Sequence, residues 1–140
     1  CGEMTVIAHA RKHRLPEILA GADVGTLFLP KGRRMGSRKR WIGFASPTQG
    51  AIVVDDGAVD AIKKQGRSLL PAGVTACEGA FDCGDVVRIE DPQRREIGRG
   101  VCRYAMEELS RILQRSSPQV KRILGRPAVE VVHRDDLVLI

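Results

Sequence analysis

The sequence predicts a mainly β chain with short helices, a small mixed α/β pseudo-barrel, preceded by an orphan strand–helix piece of an α/β domain. Three observations carry this expectation. Val74-Thr75-Ala76-Cys77, Asp85–Ile89 and Glu96–Cys102 are alternating runs separated by Gly79–Gly84 and by Asp91-Pro92, the punctuation of a small β-barrel. Ahead of them, Ala51–Val54 reads as a strand that feeds a capped helix, a crossover unit. Near the start, Met4–Ala8 is a short apolar run rich in β-branched residues, the signature of a buried strand in a parallel sheet.

Taken in chain order, Pro16 opens a helix through Glu17, Ile18, Leu19 and Ala20, with Gly21 as its stop. Val24–Phe28 is a further extended segment. One strand and one helix cannot cover both faces of a parallel sheet, so residues 1–30 are expected to be the C-terminal remnant of a larger α/β domain. Residues 31–45 read as a basic linker and the strand Trp41–Ala45 leading into the barrel, with Ser46–Gly50 as loop. Residues 46–140 then form the barrel domain. Asp55 or Asp56 caps a helix containing Ala58, Ala61 and Ile62 that stops at Gly66. After the three alternating runs, Leu109, Ile112 and Leu113, then Val120, Ile123 and Leu124, repeat at helical spacing, the second set after a Ser117-Pro118 cap. Val129–His133 and Leu137–Ile140 are strand-like and close the barrel edge.

Composition narrows the function. At 140 residues, 43% hydrophobic and 29% charged, the chain is long enough for one substantial core, and no apolar run reaches the ~20 residues that cross a bilayer. Cys1, Cys77, Cys83 and Cys102 are scattered, with no CxxC pair, which fits a reducing cytoplasm and gives no zinc-ligand spacing. The net charge of +6 is local: Lys31, Arg33, Arg34, Arg38, Lys39 and Arg40 lie in ten residues without an acid. Setting those six aside leaves 17 basic residues against 17 acidic ones. An excess confined to a linker argues against a strong phosphate-neutralising surface.

Gly66-Arg67-Ser68-Leu69-Leu70-Pro71-Ala72-Gly73-Val74, followed by Gly79, Phe81 and Gly84-Asp85-Val86-Val87, resembles a PUA domain, a compact pseudo-barrel found on RNA-modifying enzymes. With Val24–Phe28, Arg38–Ile42 and Val132–Asp136 in the same order, the chain as a whole resembles the C-terminal part of the glutamate 5-kinase family. That resemblance implies a parent enzyme that moves the γ-phosphoryl group of ATP, with Mg, onto the side-chain carboxylate of glutamate in proline synthesis. It also implies a homo-oligomer, inhibition by proline, and a kinase domain upstream in the same chain as the partner of this segment. Phosphoryl transfer rests on positioning and on groups that neutralise the moving charge. In the family these lie before the strand that Met4–Ala8 matches, so no catalytic, cofactor or metal residue is carried over, and this segment is expected to bind no cofactor and to be inactive alone.

Other motifs read more plainly. His133-Arg134-Asp135 imitates a protein-kinase catalytic triplet but has no metal-binding Asn beyond it. His9 and His13 are four apart without an acidic third ligand, Lys12 and Arg14 follow a strand end, and Gly98-Arg99-Gly100 is a strand bend. Trp41 reads as a domain-interface anchor. Lys63, Lys64 and Arg67, on or just after the first barrel helix, are the candidate RNA contacts. Against them stand fourteen basic and fourteen acidic residues in 46–140, and only Phe81 and Tyr104 as aromatics there. Two alternatives to the kinase-tail reading therefore stay open: a free-standing RNA-binding module, and a protein-interaction domain that sets oligomer geometry.

Overall fold

The computed structural model describes residues 5–7, 15–22, 25–28 and 36–140. It divides into two compact units, residues 1–35 and 36–140.

In the first unit, β1 (Thr5–Ile7) pairs antiparallel with β2 (Thr26–Phe28), Val6 opposite Leu27, and α1 (Leu15–Leu19) lies between them in sequence. The helix ends where expected, with Gly21 at φ 79. The expected buried strand of a parallel sheet is corrected: the ladder is antiparallel, and Val6 and Ile7 are exposed. The physical reason is that the one described strand able to pair with β1 returns in the opposite sense, and no other described strand of the unit covers either face.

The second unit opens with α2 (Ser37–Arg40), which runs directly into a π-helical turn over Trp41–Ala45. This corrects the expected strand at Trp41–Ala45 and the expected linker across residues 36–40. A five-residue apolar run fits strand and helix alike, so tertiary contacts decide. Here Ile42 is fully buried, Ser46 N closes the turn by donating to Trp41 O at 2.9 Å, and Gly43 lets the backbone ride over Val138. The Arg99 guanidinium donates to Gly43 O at 3.2 Å, fixing the turn to the sheet.

The sheet comprises β3 (Gly50–Val54), β4 (Val74–Gly79), β5 (Val86–Glu90), β6 (Glu96–Cys102) and β7 (Val132–Leu139), in the order β4-β3-β5-β6-β7. All neighbours are antiparallel except β3 and β5, which are parallel. That single parallel pair follows from the crossover: β3 leads through α3 (Asp56–Gln65) and a 3₁₀ turn (Pro71–Gly73) into β4, which returns along one edge of β3 before the chain crosses to the other. The crossing needs left-handed backbone at both ends, supplied by Gly79 at φ 94 and Gly84 at φ 104. On β6, Gly98 and Gly100 serve close approach instead. A Cβ on Gly98 would stand 2.5 Å from Val138 O, and one on Gly100 would collide with the Val132 side chain, next to a register shift in the β6–β7 ladder.

The core gathers Ile52, Val54, Val74, Val87, Ile89 and Val132 from the strands with Leu109 from α4 (Met106–Arg111), Ile112 just after it and Val120 from α5 (Ser117–Leu124). Each such side chain contributes about 1.5–3 kcal/mol by leaving water. The cap of α5 is Ser116, one residue before the expected Ser117: Gln119 Oε1 accepts from Ser116 N at 2.9 Å and from Ser116 Oγ at 3.1 Å. Two devices fasten the last strand. Tyr104, fully buried, donates its hydroxyl hydrogen to Val129 O at 3.0 Å and accepts from Val129 N at 2.9 Å. Leu69 N donates to Val132 O at 2.9 Å and Val131 N to Leu69 O at 2.7 Å, so the segment after α3 binds the last strand and curls the sheet into a pseudo-barrel.

Candidate functional site

The concave feature nearest the expected contact residues lies between α3 and the segment that follows it. Asp55 caps α3, its carboxylate accepting from Ala58 N at 2.7 Å, and Gly66 ends it at φ 59. From there Arg67–Gly73 folds back along the helix, anchored by Arg67 N to Ala61 O at 3.0 Å and by Gly73 O accepting from Asp55 N at 3.0 Å. A Cβ on Gly73 would stand 2.6 Å from the Ala58 methyl, so only glycine lets the two backbones close this far. Between them remains a cavity of about 280 Å³, walled by Ala58, Ala61, Ile62, Leu69, Leu70 and Ala72, with Asp55, Arg67 and Ser68 at its polar edge. Ile62 and Leu69 are buried and form its floor, whereas Leu70 is 50% exposed.

The three candidate RNA contacts are exposed but do not act as one group. Arg67 borders the cavity. Lys64 is held by Asp60 one turn earlier at 2.9 Å, and Lys63 stands five residues from Ala58 on a helix, pointing to the opposite side from the cavity wall. What the sequence did not reveal is a second source of cations. Ser68 Oγ accepts from Arg134 N at 3.0 Å, and Lys39 Nζ donates to Arg134 O at 3.2 Å. Of these cations only Arg67 borders the cavity; the Arg134 backbone joins Ser68 at its edge to Lys39 on α2. Ser68 and Arg134 are 66 residues apart, so no local pattern could have joined them. The nearby carboxylates are largely engaged: Arg38 holds Asp136 at 2.6 Å and Asp55 caps its helix, while Asp135 is exposed beside His133.

A second, polar hollow of about 260 Å³ is lined by Thr48, Gln49, Glu78 and Arg88 among others. Each of its charged side chains is paired with a residue outside its lining. Arg94 holds Glu78 at 2.6 Å, which keeps the Glu78 carboxyl below its usual range, and Arg88 pairs with Glu90 at 3.3 Å. In the β5–β6 connection, burial pushes the Asp91 carboxyl upward, but hydrogen bonds from Arg95 N, the Arg95 side chain and Gln93 N outweigh it and leave the group below its ordinary value. Among thiols, Cys83 is exposed, and Cys102 is buried, which pushes it up to about 11.

The remaining motifs fall out plainly. His133-Arg134-Asp135 lies on β7, with His133 Nδ1 accepting from Asp135 N at 3.2 Å, and Gly98-Arg99-Gly100 lies on β6. Trp41 is 51% exposed and Phe44 72% exposed on the π-helical turn. His9, His13, Lys12 and Arg14, with basic residues 31–34, lie outside the described residues. Among the described residues no group of three or more His, Cys, Asp or Glu side chains could hold a metal ion, and no helix is long and apolar enough to cross a membrane.

Comparison with known proteins places this geometry. The PUA domain family matches residues 50–124, from β3 to the end of α5. The chain is 43% identical over 140 residues to the glutamate 5-kinase of Syntrophotalea carbinolica, covering 99% of this chain and 38% of that one. It is 48% identical over 126 residues to the glutamate 5-kinase of Rhodopirellula baltica, covering 89% of this chain and 32% of that one. The chain therefore spans well under half the length of the curated relatives it matches, and the stretch it matches is their C-terminal part. Among solved structures, a PUA domain from Aeropyrum pernix in complex with tartrate is 30% identical with a TM-score of 0.45, covering 61% of this chain and 43% of that one. A conserved PUA domain protein from Thermoplasma acidophilum is 15% identical with a TM-score of 0.47, covering 94% and 93%. With the family match spanning more than half of its residues and the five-stranded mixed sheet beneath them, the chain belongs to the PUA domain family.

Proposed function

We propose that this chain is the C-terminal, PUA-bearing part of a glutamate 5-kinase, and that it serves the parent enzyme as an architectural or regulatory tail. The parent transfers the γ-phosphoryl group of ATP, with Mg, to the side-chain carboxylate of glutamate, giving glutamyl 5-phosphate for proline synthesis in the cytoplasm. It works as a homo-oligomer. Residues 1–30 are the end of its kinase domain, and the barrel follows the basic segment.

One observation carries this reading: relatives named glutamate 5-kinase match 99% of the chain while extending far beyond it. The test is ADP release with glutamate, ATP and Mg, measured for the parent and for these 140 residues. Turnover is expected from the parent alone, and turnover by the segment would refute the placement of the active site upstream.

RNA contact through Lys63, Lys64 and Arg67 is the weaker reading. Lys64 is neutralised by Asp60, Lys63 points away from the cavity, and no aromatic side chain lines it for base stacking.

A further inference from the structure

We propose that the polar hollow lined by Thr48, Gln49, Ala51, Glu78 and Arg88 is a binding site for a small zwitterion of the free α-amino acid class, its carboxylate received by Arg88 and its ammonium by Glu78.

Strand register builds the site. Ala51 on β3 is opposite Glu78 on β4 and opposite Arg88 on β5, so a carboxylate and a guanidinium stand on one face of the sheet with a single methyl between them. Two strand spacings set their Cα atoms about 10 Å apart. Among the described residues the two form no ion pair with each other, since Glu78 is held by Arg94 and Arg88 by Glu90. Gly50 and Gly79, paired in the next row, line the hollow with backbone. Its volume of about 260 Å³ falls just under the roughly 300–1,000 Å³ of pockets for drug-sized ligands, which suits a small metabolite.

The polar groups facing the hollow are not used up by the fold. Arg94 Nη2 donates to Glu78 Oε1 at 2.6 Å and keeps the carboxyl below its usual range, while Glu78 Oε2 has no hydrogen-bond partner among the described residues. Arg88 donates only through Nε, to Glu90 Oε1 at 3.3 Å, so its two terminal nitrogens remain to take a carboxylate side-on. The Thr48 hydroxyl and the Gln49 side-chain amide likewise have no partner among the described residues, although Gln49 is fixed by its backbone N donating to Val86 O at 2.9 Å.

Charge then selects the ligand. A simple anion would meet Glu78 and a simple cation would meet Arg88, whereas a zwitterion satisfies both walls. The outside partners compensate each other, Arg94 standing 3.7 Å from Glu90, so the surroundings add no net bias. Across β6, Arg99 lies directly opposite Arg88, though it is paired with Glu96 at 2.6 Å. Like charges facing each other in a ladder are unfavourable, and a carboxylate seated on Arg88 relieves that repulsion.

The test is two-dimensional amide NMR of these 140 residues, titrated separately with three probes of one shape. L-alanine carries both charges, L-lactate replaces the ammonium by a hydroxyl, and L-alaninamide replaces the carboxylate by a neutral amide. Saturable shifts at Gln49, Gly50, Glu78, Gly79 and Arg88 are expected with alanine, and roughly tenfold or more weaker binding with lactate and with alaninamide, each lacking one charge-assisted contact. Glu78→Gln should bring alanine down to the level of lactate, and Arg88→Gln should bring it down to the level of alaninamide. Because either substitution also breaks an ion pair of the fold, the three-probe series on the unaltered chain decides by itself. Shifts confined to other residues, or no saturable shift below about 0.1 M alanine, would overturn the proposal. Lactate binding as tightly as alanine would overturn it in favour of a plain anion site, and alaninamide doing so in favour of a plain cation site.

Discussion

Replacing Tyr104 by phenylalanine should cost the barrel far more than one surface hydroxyl. The ring is fully buried, and its oxygen serves two partners at once, donating to Val129 O at 3.0 Å and accepting from Val129 N at 2.9 Å. Phenylalanine keeps the packing and the stacking of the Arg126 guanidinium, 5.2 Å from the ring centroid, but leaves both backbone groups of Val129 without a partner. An unsatisfied group costs about 1–3 kcal/mol when water cannot reach it, and less where it can. Val129 is 36% exposed, which places the expected loss near 2 kcal/mol for the pair. For a domain of about a hundred residues this lowers Tm by roughly 8 °C or somewhat more. Thermal unfolding followed by far-UV circular dichroism reads it directly. The comparison variant is Arg126→Ala, which removes the cation and its ion pair with Glu108 at 2.7 Å, both exposed, and should cost about 1 kcal/mol or less. If Tyr104→Phe unfolded within about 2 °C of the unaltered chain, the two hydrogen bonds would not be fastening the last strand, and the account of barrel closure would fail.

Three further outcomes follow from other features. Asp55→Ala removes the α3 cap and should cost about 1 kcal/mol, seen as a lower urea midpoint with unchanged slope. Asp91 has a folded-state pKa below its ordinary 3.8, so its contribution to stability is complete above that value and is lost as pH falls through the lower folded value. Asp91→Asn should therefore flatten the fall in stability below about pH 4, measured by urea titration across pH, and an unchanged acid limb would contradict the assignment. For the thiols, iodoacetamide should label Cys83 in the native protein while Cys102, buried and raised to about 11, reacts only after unfolding. Peptide mapping distinguishes the two, and native labelling of Cys102 would mean that this end of the core opens readily.

Much of the barrel could be read from local chemistry. Asp55, Gly66 and the alternating runs mark α3 and β4 to β6 because caps, left-handed glycines and period-two burial are properties of a few neighbouring residues. The misplaced elements are those whose outcome depends on distant partners. Trp41–Ala45 carries no periodicity of its own, and it becomes a π-helical turn because Ile42 finds a buried site and Gly43 meets Val138. Met4–Ala8 looks buried from its composition, but burial requires covering elements, and in its unit Ile7 is 60% exposed. The shift from Ser117 to Ser116 is a one-residue choice between adjacent serines, settled by where Gln119 can reach back. At the candidate site, Arg67 was legible as an exposed cation beside a helix end. Lys39 and Arg134 were not, because a run of basic residues near residue 40 reads as solvated until β7 is seen to lie against it.

The bridge between Leu69 and Val132 sets the order in which this cylinder can mature. A contact between positions some sixty residues apart, as the Ser68–Arg134 bond beside it also is, contributes nothing until most of the intervening polypeptide has been ordered, so the entropy of gathering that loop falls early and its reward late. The latch should therefore engage last, after the β3–β5 pairing has brought the sheet together. A synthesis pause or a nick before residue 132 would leave the apolar floor beneath Leu69 open, a state in which this polypeptide would be most prone to aggregate.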